Sequence, residues 1–253
     1  MKMTKRLSES LRFSLGFVIL LWIIHIFQFI TTIDLGYLGI RPHATYGLRG
    51  ILFAPLLHDN EGFTHLVSNS APLLVLMTLI KLFYRRVALR SFLMIYVLTG
   101  LAVWIFARPV YHIGASGVVY GLVSFVFWSG IFRRNIKSVV LALIVTFLYS
   151  GFIWGVLPYQ EGVSWESHLF GGLVGIFTAY WYKEEIEKDE EPRPLPAWAT
   201  ETADPLSQPY FLDRDTFNKT KEERRREAEE QARLRAERER DDKGGWFSNN
   251  TWE

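Results

Sequence analysis

The chain has 253 residues, of which 49% are hydrophobic, and its formal net charge at pH 7 is only +2. It contains no cysteine, which excludes disulfide bonds, thiolate metal sites and cysteine nucleophiles. The small net charge gives no reason to expect nucleic acid as a partner. Residues 1–182 are mostly apolar and residues 183–253 are strongly charged, so the composition indicates a membrane domain followed by a soluble tail.

Six apolar segments follow one another along residues 11–182. Each approaches the ~20 residues that a helix needs to cross ~30 Å of hydrocarbon. They do not alternate between polar and apolar residues and are too long for tilted barrel strands, so we predict helices. The predicted spans are residues 11–31, 65–83, 88–107, 113–132, 138–157 and 166–182. The predicted fold class is therefore all-α: a polytopic membrane protein with six transmembrane helices and a charged C-terminal tail.

The first segment follows a basic start, MKMTKR, as in a signal peptide. It is long for that role and no cleavage site follows it, so we expect a retained span after a short cytoplasmic N-terminus, residues 1–10. Deep in this span, His25 is expected to form an interhelical hydrogen bond. Lysine and arginine cluster before the first segment, between the second and third, and between the fourth and fifth. This pattern predicts that both termini are cytoplasmic.

Two regions outside the spans have a distinct character. Residues 32–64 are long for a structureless loop, and two interpretations stay open: short helices at the outer interface, or a plain extracytoplasmic loop. Residues 183–218 are rich in proline and acidic residues, which predicts a disordered linker. Residues 219–253 include many opposite charges four residues apart but no apolar stripe. They are therefore predicted to contain a solvated helix rather than a coiled coil.

The polar residues within the spans limit the possible chemistry. No Asp or Glu occurs away from the span ends, and the H-E-x-x-H string is absent. This excludes an intramembrane aspartyl protease and a zinc protease of that type, and it implies no metal and no cofactor. His65 and Asn69, four residues apart, share one helix face at the start of the second span. Alone, they fit a polar helix entrance as well as a functional pair.

Ser116 lies in GASG at the outer start of the fourth span. The string alone is weak, because small residues commonly form packing faces in membrane helices. Alternatively, Gly114 and Gly117 would let a substrate backbone approach the hydroxyl. His168 begins the sixth span, where Gly171 and Gly175 predict very close packing on a neighbouring helix. If that neighbour is the fourth helix, His168 approaches Ser116.

Topology brings these polar residues to one depth. The second, fourth and sixth spans all run inward from the outer side, and His65, Ser116 and His168 lie in their first turns. An imidazole can take the proton of a serine hydroxyl and so activate it as a nucleophile. With no candidate carboxylate inside the spans to complete a triad, the pair would be a dyad. Tyr120, one turn beyond the serine, would stack on the imidazole. Candidate oxyanion donors are the serine amide, Asn69 and His65.

These residues resemble the rhomboid family of intramembrane serine proteases. The matching motifs are HLVSN (His65 to Asn69), GASGVVYG (Gly114 to Gly121) and HLFGGLVG (His168 to Gly175). They occur in the family's order, and the resemblance spans residues 11–182. It implies a rhomboid-like six-helix protease domain over residues 11–182, in which residues 32–64 form the first extracytoplasmic loop.

The resemblance also implies roles for single residues. Ser116 would be the nucleophile and His168 the general base. His65, Asn69 and the Ser116 amide would form the oxyanion hole, and Tyr120 would support the base. The family's close-packing positions correspond to Gly171 and Gly175.

The resemblance further implies that the chain cleaves single-span or polytopic membrane proteins near the outer ends of their helices, within a lipid bilayer. The segment around Phe152 to Tyr159 would gate access to the site. A bacterial inner membrane is the expected location. Many members carry a Trp-Arg pair in the first loop, and this chain does not. Two alternatives are a catalytically silent relative that binds transmembrane clients, and a small channel or transporter. A channel would need a polar path through the full membrane thickness.

Overall fold

The computed structural model describes residues 2–59, 62–158, 164–185, 187 and 219–248. Within these ranges the chain is mostly helical and contains no strand; a single β-bridge joins Ile40 to His112. The longer helices are α1 (Lys2–Thr31), α2 (Thr64–Phe83), α3 (Ala88–Phe106), α4 (Ser116–Arg133), α5 (Ile136–Tyr149), α6 (Trp165–Trp181) and α7 (Lys221–Ser248).

Five helical segments of the described chain are long and apolar enough to cross a membrane: α1 to α4, and α5 together with the 3-10 helix that continues it. Their outer faces carry large exposed apolar side chains, such as Ile136 and Phe147, as expected where lipid surrounds a protein. The prediction of an all-α polytopic membrane protein is therefore confirmed, with five candidate spans. The sixth predicted span is α6, whose 17 residues lie at the short end of the spanning range. The six-helix count stays a prediction.

Several boundaries differ from the predicted ones. α1 begins at Lys2, so residues 2–10 belong to the first helix instead of preceding it. α5 ends at Tyr149, and the 3-10 helix Ser150–Val156 follows. Two glycines in that segment and a proline after it weaken the α-helix there, because glycine and proline have the lowest helix propensities.

Residues 32–64, between the first two spans, contain short helical turns, which favours the interpretation of short helices over that of a plain loop. They cover Gly36–Leu38, Thr45–Arg49, Gly50–Phe53 and Ala54–Leu56. The predicted linker lies almost entirely outside the described residues. In the tail, α7 carries ion pairs four residues apart, for example between Arg225 and Glu229 (3.3 Å).

α4 is the central helix and contacts α2, α3, α5 and α6; its Leu122 and Phe125 are fully buried. Glycines set its spacing to α6. A Cβ atom on Gly171 would collide with the carbonyl oxygen of Gly117, and one on Gly175 would collide with that of Gly121. The two backbones therefore approach as closely as the small-residue pattern predicts. This packing determines how far the first turns of α4 and α6 lie from each other.

α1 packs on α2, and Trp22 Nε1 donates to Ser70 Oγ at 3.0 Å. His25 is buried on this helix, 5.0 Å from the Phe63 ring. Neither of its ring nitrogens has a hydrogen-bond partner among the described residues. The expected interhelical hydrogen bond is therefore not formed, and the ring instead packs edge-on against an aromatic neighbour.

Candidate active site

Ser116 and His168 meet between the first turns of α4 and α6. Ser116 is the first residue of α4 and His168 the fourth of α6. The distance from His168 Nε2 to Ser116 Oγ is 2.8 Å. Ser164 caps α6 by accepting a hydrogen bond from the Ser167 amide, which starts the helix at the register that presents His168 to α4. The serine hydroxyl thus lies within proton-transfer distance of an imidazole.

The second ring nitrogen of His168 determines its tautomer. Nδ1 lies 2.7 Å from the main-chain carbonyl oxygen of Gly155. Because a carbonyl only accepts, Nδ1–H is the donor, and the neutral ring then presents Nε2 to Ser116 as an acceptor. In a catalytic triad a carboxylate holds the histidine in this way; here the acceptor is a backbone oxygen of the 3-10 segment. The sequence does not reveal it, because every residue has a carbonyl.

Tyr120 lies against His168, the position predicted for a residue that supports the base. Its ring stacks on the His168 imidazole with centroids 4.2 Å apart and planes 7° from parallel. Its hydroxyl donates to the main-chain oxygen of Phe152 at 2.8 Å. The 3-10 segment Ser150–Val156 therefore contacts the imidazole twice, directly through Gly155 and indirectly through Tyr120.

His65 lies beside the turn that precedes Ser116. A Cβ atom on Gly114 would lie 3.0 Å from His65 Cε1, 3.1 Å from His65 Nε2 and 4.0 Å from Ser116 Oγ. The Nε2 edge of His65 therefore faces Gly114, two residues before Ser116. On its other side, His65 Nδ1 lies 2.7 Å from Asp59 Oδ2. Asp59 was not expected at the site, because the loop that holds it has no periodic pattern.

Asn69 is buried one turn along α2 from His65, on the same face. Its side-chain amide donates to the His65 carbonyl oxygen at 2.9 Å. An amide group has two N–H donors, and this hydrogen bond uses one of them.

Gly114 and Gly117, on either side of Ser116, both lie close to neighbouring residues. A Cβ atom on Gly117 would lie 3.0 Å from the Ser167 carbonyl oxygen and 3.1 Å from Thr99 Cγ2, so this glycine faces α6 and α3. Gly114 has a φ of +106°, a backbone conformation that side chains rarely adopt, and it faces the His65 ring. Both positions therefore fit the interpretation of GASG as a small-residue packing face, and room for a substrate backbone beside the hydroxyl stays a prediction.

His112, four residues before Ser116, is buried. Its Nε2–H donates to the Arg108 carbonyl oxygen at 3.0 Å, and its Nδ1 lies 2.6 Å from Ser164 Oγ. Burial lowers the pKa of His112, which agrees with a neutral ring that donates from one nitrogen and accepts at the other. His112 thus joins the loop before Ser116 to the residue that caps α6.

The described residues contain no group of three or more histidine, aspartate or glutamate side chains placed to hold a metal ion. At the site itself, the described groups are a serine hydroxyl, an imidazole that accepts at Nε2 and nearby hydrogen-bond donors. This set is suited to nucleophilic attack on a carbonyl carbon followed by proton return to the leaving group.

Comparison with known proteins adds an independent observation. A family model described as "Rhomboid domain" matches residues 45–185. Uncharacterized proteins of Mycobacterium tuberculosis and Mycobacterium bovis are each 38% identical to the chain over 175 residues, which cover 66% of this chain and 72% of theirs. An uncharacterized protein of Mycobacterium leprae is 36% identical over 179 residues, which cover 66% of this chain and 68% of its own. The residues matched by the family model include the first turns of α2, α4 and α6.

Proposed function

Since this chain belongs to the rhomboid family, whose members are usually serine proteases, we propose that it is an intramembrane serine endopeptidase. The substrates would be single-span or polytopic membrane proteins, cleaved near the extracytoplasmic ends of their transmembrane helices. The observation that carries the proposal is the 2.8 Å distance between Ser116 Oγ and His168 Nε2, with the opposite nitrogen of the imidazole bound to Gly155.

In the proposed reaction His168 Nε2 takes the Ser116 hydroxyl proton while Oγ attacks the substrate carbonyl carbon. The imidazolium then gives that proton to the leaving amine as the peptide C–N bond breaks, which leaves an acyl group on Ser116. A water molecule, deprotonated by the same nitrogen, hydrolyses the ester and restores the serine. The Ser116 amide, Asn69 and His65 would stabilise the negative oxygen of each tetrahedral intermediate.

The 3-10 segment fits a role in substrate access. It covers Ser150–Val156, and Tyr120 and His168 both donate hydrogen bonds to its main chain. We expect that its displacement admits a substrate and that its return restores the orientation of the base. The predicted gate extends to Tyr159, which lies outside the described residues.

The basic residues at the helix ends support an orientation with both termini in the cytoplasm and α6 as a sixth span. The first turns of α2, α4 and α6 then open to the extracytoplasmic side. The surrounding lipid bilayer would be that of a bacterial inner membrane, and nucleic acid is not an expected partner. The alternative of a silent client-binding relative has no specific support, because both the hydroxyl and the base are present in contact.

An activity-based probe tests the nucleophile without a known substrate. A fluorophosphonate should label the wild-type protein in detergent, and peptide mapping should locate the label on Ser116. The Ser116→Ala and His168→Ala variants should not be labelled. Equal labelling of wild type and Ser116→Ala would contradict the proposed role of this serine.

A further inference from the structure

The link between α3 and α4 is bound to the start of α6. This link covers residues 107–115 and leads directly into the nucleophile, the first residue of α4. Near its beginning, Arg108 Nε lies 3.0 Å from Glu166 Oε1 in the first turn of α6. Further along, His112 Nδ1 accepts a hydrogen bond from the Ser164 hydroxyl at 2.6 Å. The segment that leads to the nucleophile is thus bound twice to the helix that carries the base.

Backbone hydrogen bonds fix the α3–α4 link to the segment between α1 and α2. Ile40 and His112 exchange both of their main-chain hydrogen bonds, at 3.0 and 2.9 Å. The Gly114 amide donates to the Ala54 carbonyl oxygen at 2.9 Å. The position of the link is therefore determined without α6, and the link can serve as the support to which the first turn of α6 is attached.

Glu166 is an unusual side chain to bury at this position. Its side chain is 6% exposed, whereas that of Arg108 is 52% exposed. Moving a carboxylate out of water costs free energy, and buried ion pairs can often be replaced by apolar side chains without loss of stability. The start of a helix offsets part of this cost, because the helix dipole favours negative charge there. Stability is therefore a weak explanation for this carboxylate, whereas an arginine–carboxylate contact fixes both the distance and the direction between its partners.

The glycine contacts between α4 and α6 leave one property of the dyad undetermined. Gly171 and Gly175 allow the two backbones to approach closely, which sets the separation of the helices. A rotation of α6, or a shift along its axis, would keep that separation and still move the imidazole away from Ser116 Oγ. Glu166 lies two residues before His168 in the same turn, so its ion pair resists both movements.

We propose that Glu166 is a positioning residue: its ion pair with Arg108 attaches the first turn of α6 to the α3–α4 link and so sets the geometry of the dyad. The contact between Ser164 and His112 acts in the same direction. The inference rests on the proposed protease function, and it names residues that act through His168 rather than on the substrate. The expected effect is large, because a displacement of about 1 Å can reduce a reaction rate roughly 100-fold.

The test uses a fluorophosphonate and the full chain in detergent, and it separates the rate of labelling from its final extent. The maximal rate (kinact) reports the activation of the Ser116 hydroxyl by the base, and the final extent reports the fraction of folded protein. Arg108→Gln/Glu166→Gln replaces both charges, so that no charge is left buried without a partner. Its kinact should be at least about tenfold lower than that of wild type, with a similar final extent. Ser164→Ala removes the other contact, should lower kinact in the same way, and decides the question if the double variant does not fold.

Two further variants serve as controls. Arg108→Lys keeps a positive charge beside Glu166, so it should retain most of the wild-type kinact. Glu185→Gln is the matched control, because Glu185 pairs with Arg90 beyond the opposite end of the same helix. Its kinact should equal that of wild type, since this ion pair lies far along the chain from the first turn of α6.

Two results would overturn the inference while leaving the protease intact: a wild-type kinact in the double variant, or an equal decrease of kinact in Glu185→Gln. An unchanged kinact with a smaller final extent would show that the ion pair only stabilises the fold. A wild-type protein that labels no faster than Ser116→Ala would overturn the proposed function itself, and the role of Glu166 with it.

Discussion

At the scale of single residues, a backbone oxygen lies at His168 Nδ1, where a catalytic triad would place a carboxylate. Gly155 accepts from His168, and Phe152 accepts from Tyr120, whose ring stacks on the same imidazole. The sequence predicted that Ser116, His168 and Tyr120 would meet. Ser116 and His168 lie in the first turns of two spans that run inward from the same side, and Tyr120 lies one turn beyond Ser116. The sequence did not predict the two carbonyl acceptors, since a main-chain oxygen has no signature in a sequence.

Substitution of Tyr120 separates its two contacts with the site. Tyr120→Phe keeps the stacked ring and loses one neutral hydrogen bond, so we expect kcat/KM to fall only about threefold. Tyr120→Ala also loses the ring contact and leaves a cavity beside the base, so the loss should be at least about tenfold. Substrate cleavage by both variants measures this difference. Equal activity in Tyr120→Ala and wild type would show that the stacking does not orient His168.

The buried His58 should make the stability of the domain depend on pH. Burial lowers its pKa from 6.5 to about 3. Between these two pH values His58 binds a proton in the unfolded chain but stays neutral in the folded chain. This contribution to stability is complete above about pH 6.5 and decreases as the pH falls towards 3. At pH 4 the free energy of unfolding should be about 3 kcal/mol lower than at pH 7 because of His58.

Thermal unfolding between pH 4 and pH 7 measures this effect. His58→Leu should show a weaker decrease in Tm on acidification than wild type. His43→Leu is the matched control, because His43 also lies between α1 and α2 but is exposed. Its Tm should fall with pH as the wild-type Tm does. If Tm falls equally with pH in wild type and in His58→Leu, His58 is not the source of the pH dependence.

At the scale of helices, the approach of α6 to α4 determines the distance within the dyad. The small-residue pattern of Gly171 and Gly175 predicted this approach, and their missing Cβ atoms leave the space that the α4 carbonyls occupy. The end of α5 was harder to predict. Residues 138–157 are apolar almost throughout, and hydropathy does not distinguish an α-helix from the 3-10 helix Ser150–Val156 that supplies the backbone acceptors.

Adjacent glycines of α6 provide a matched pair of variants. A Cβ atom on Gly171 would collide with the Gly117 carbonyl, whereas one on Gly172 would meet nothing within 4 Å. Gly171→Ala should therefore lower stability by about 1–3 kcal/mol and reduce fluorophosphonate labelling of Ser116. Gly172→Ala should be neutral or stabilising by up to about 1 kcal/mol, because alanine has the higher helix propensity. Similar Tm values and labelling rates in the two variants would contradict the proposed packing.

At the scale of the whole molecule, the chain forms two compact units, Met1–Glu191 and Pro192–Glu253. The membrane unit holds every residue assigned here to the reaction. In the tail, the described side chains of α7 up to residue 240 are exposed and carry both signs of charge. The sequence predicted this division from composition alone, because an apolar bundle and a solvated charged helix have little composition in common.

Removal of the tail tests whether the membrane unit is sufficient for catalysis. A chain that ends at residue 191 should label with fluorophosphonate at the wild-type rate, and its stability should change by less than about 0.5 kcal/mol, as for changes at exposed sites. Gel-based labelling and thermal unfolding in the same detergent give both values. A large loss of labelling in the shortened chain would show that the tail contributes to the site.

The most direct test of the central claim is proteolysis of a single-span membrane protein by the full chain reconstituted in liposomes. The dyad predicts that the wild type cleaves the substrate near the extracytoplasmic end of its helix, and that Ser116→Ala and His168→Ala each lose at least about 10³-fold in rate. Cleavage by Ser116→Ala at the wild-type rate would contradict the account, and so would an inactive wild type on substrates that other rhomboid proteases cleave.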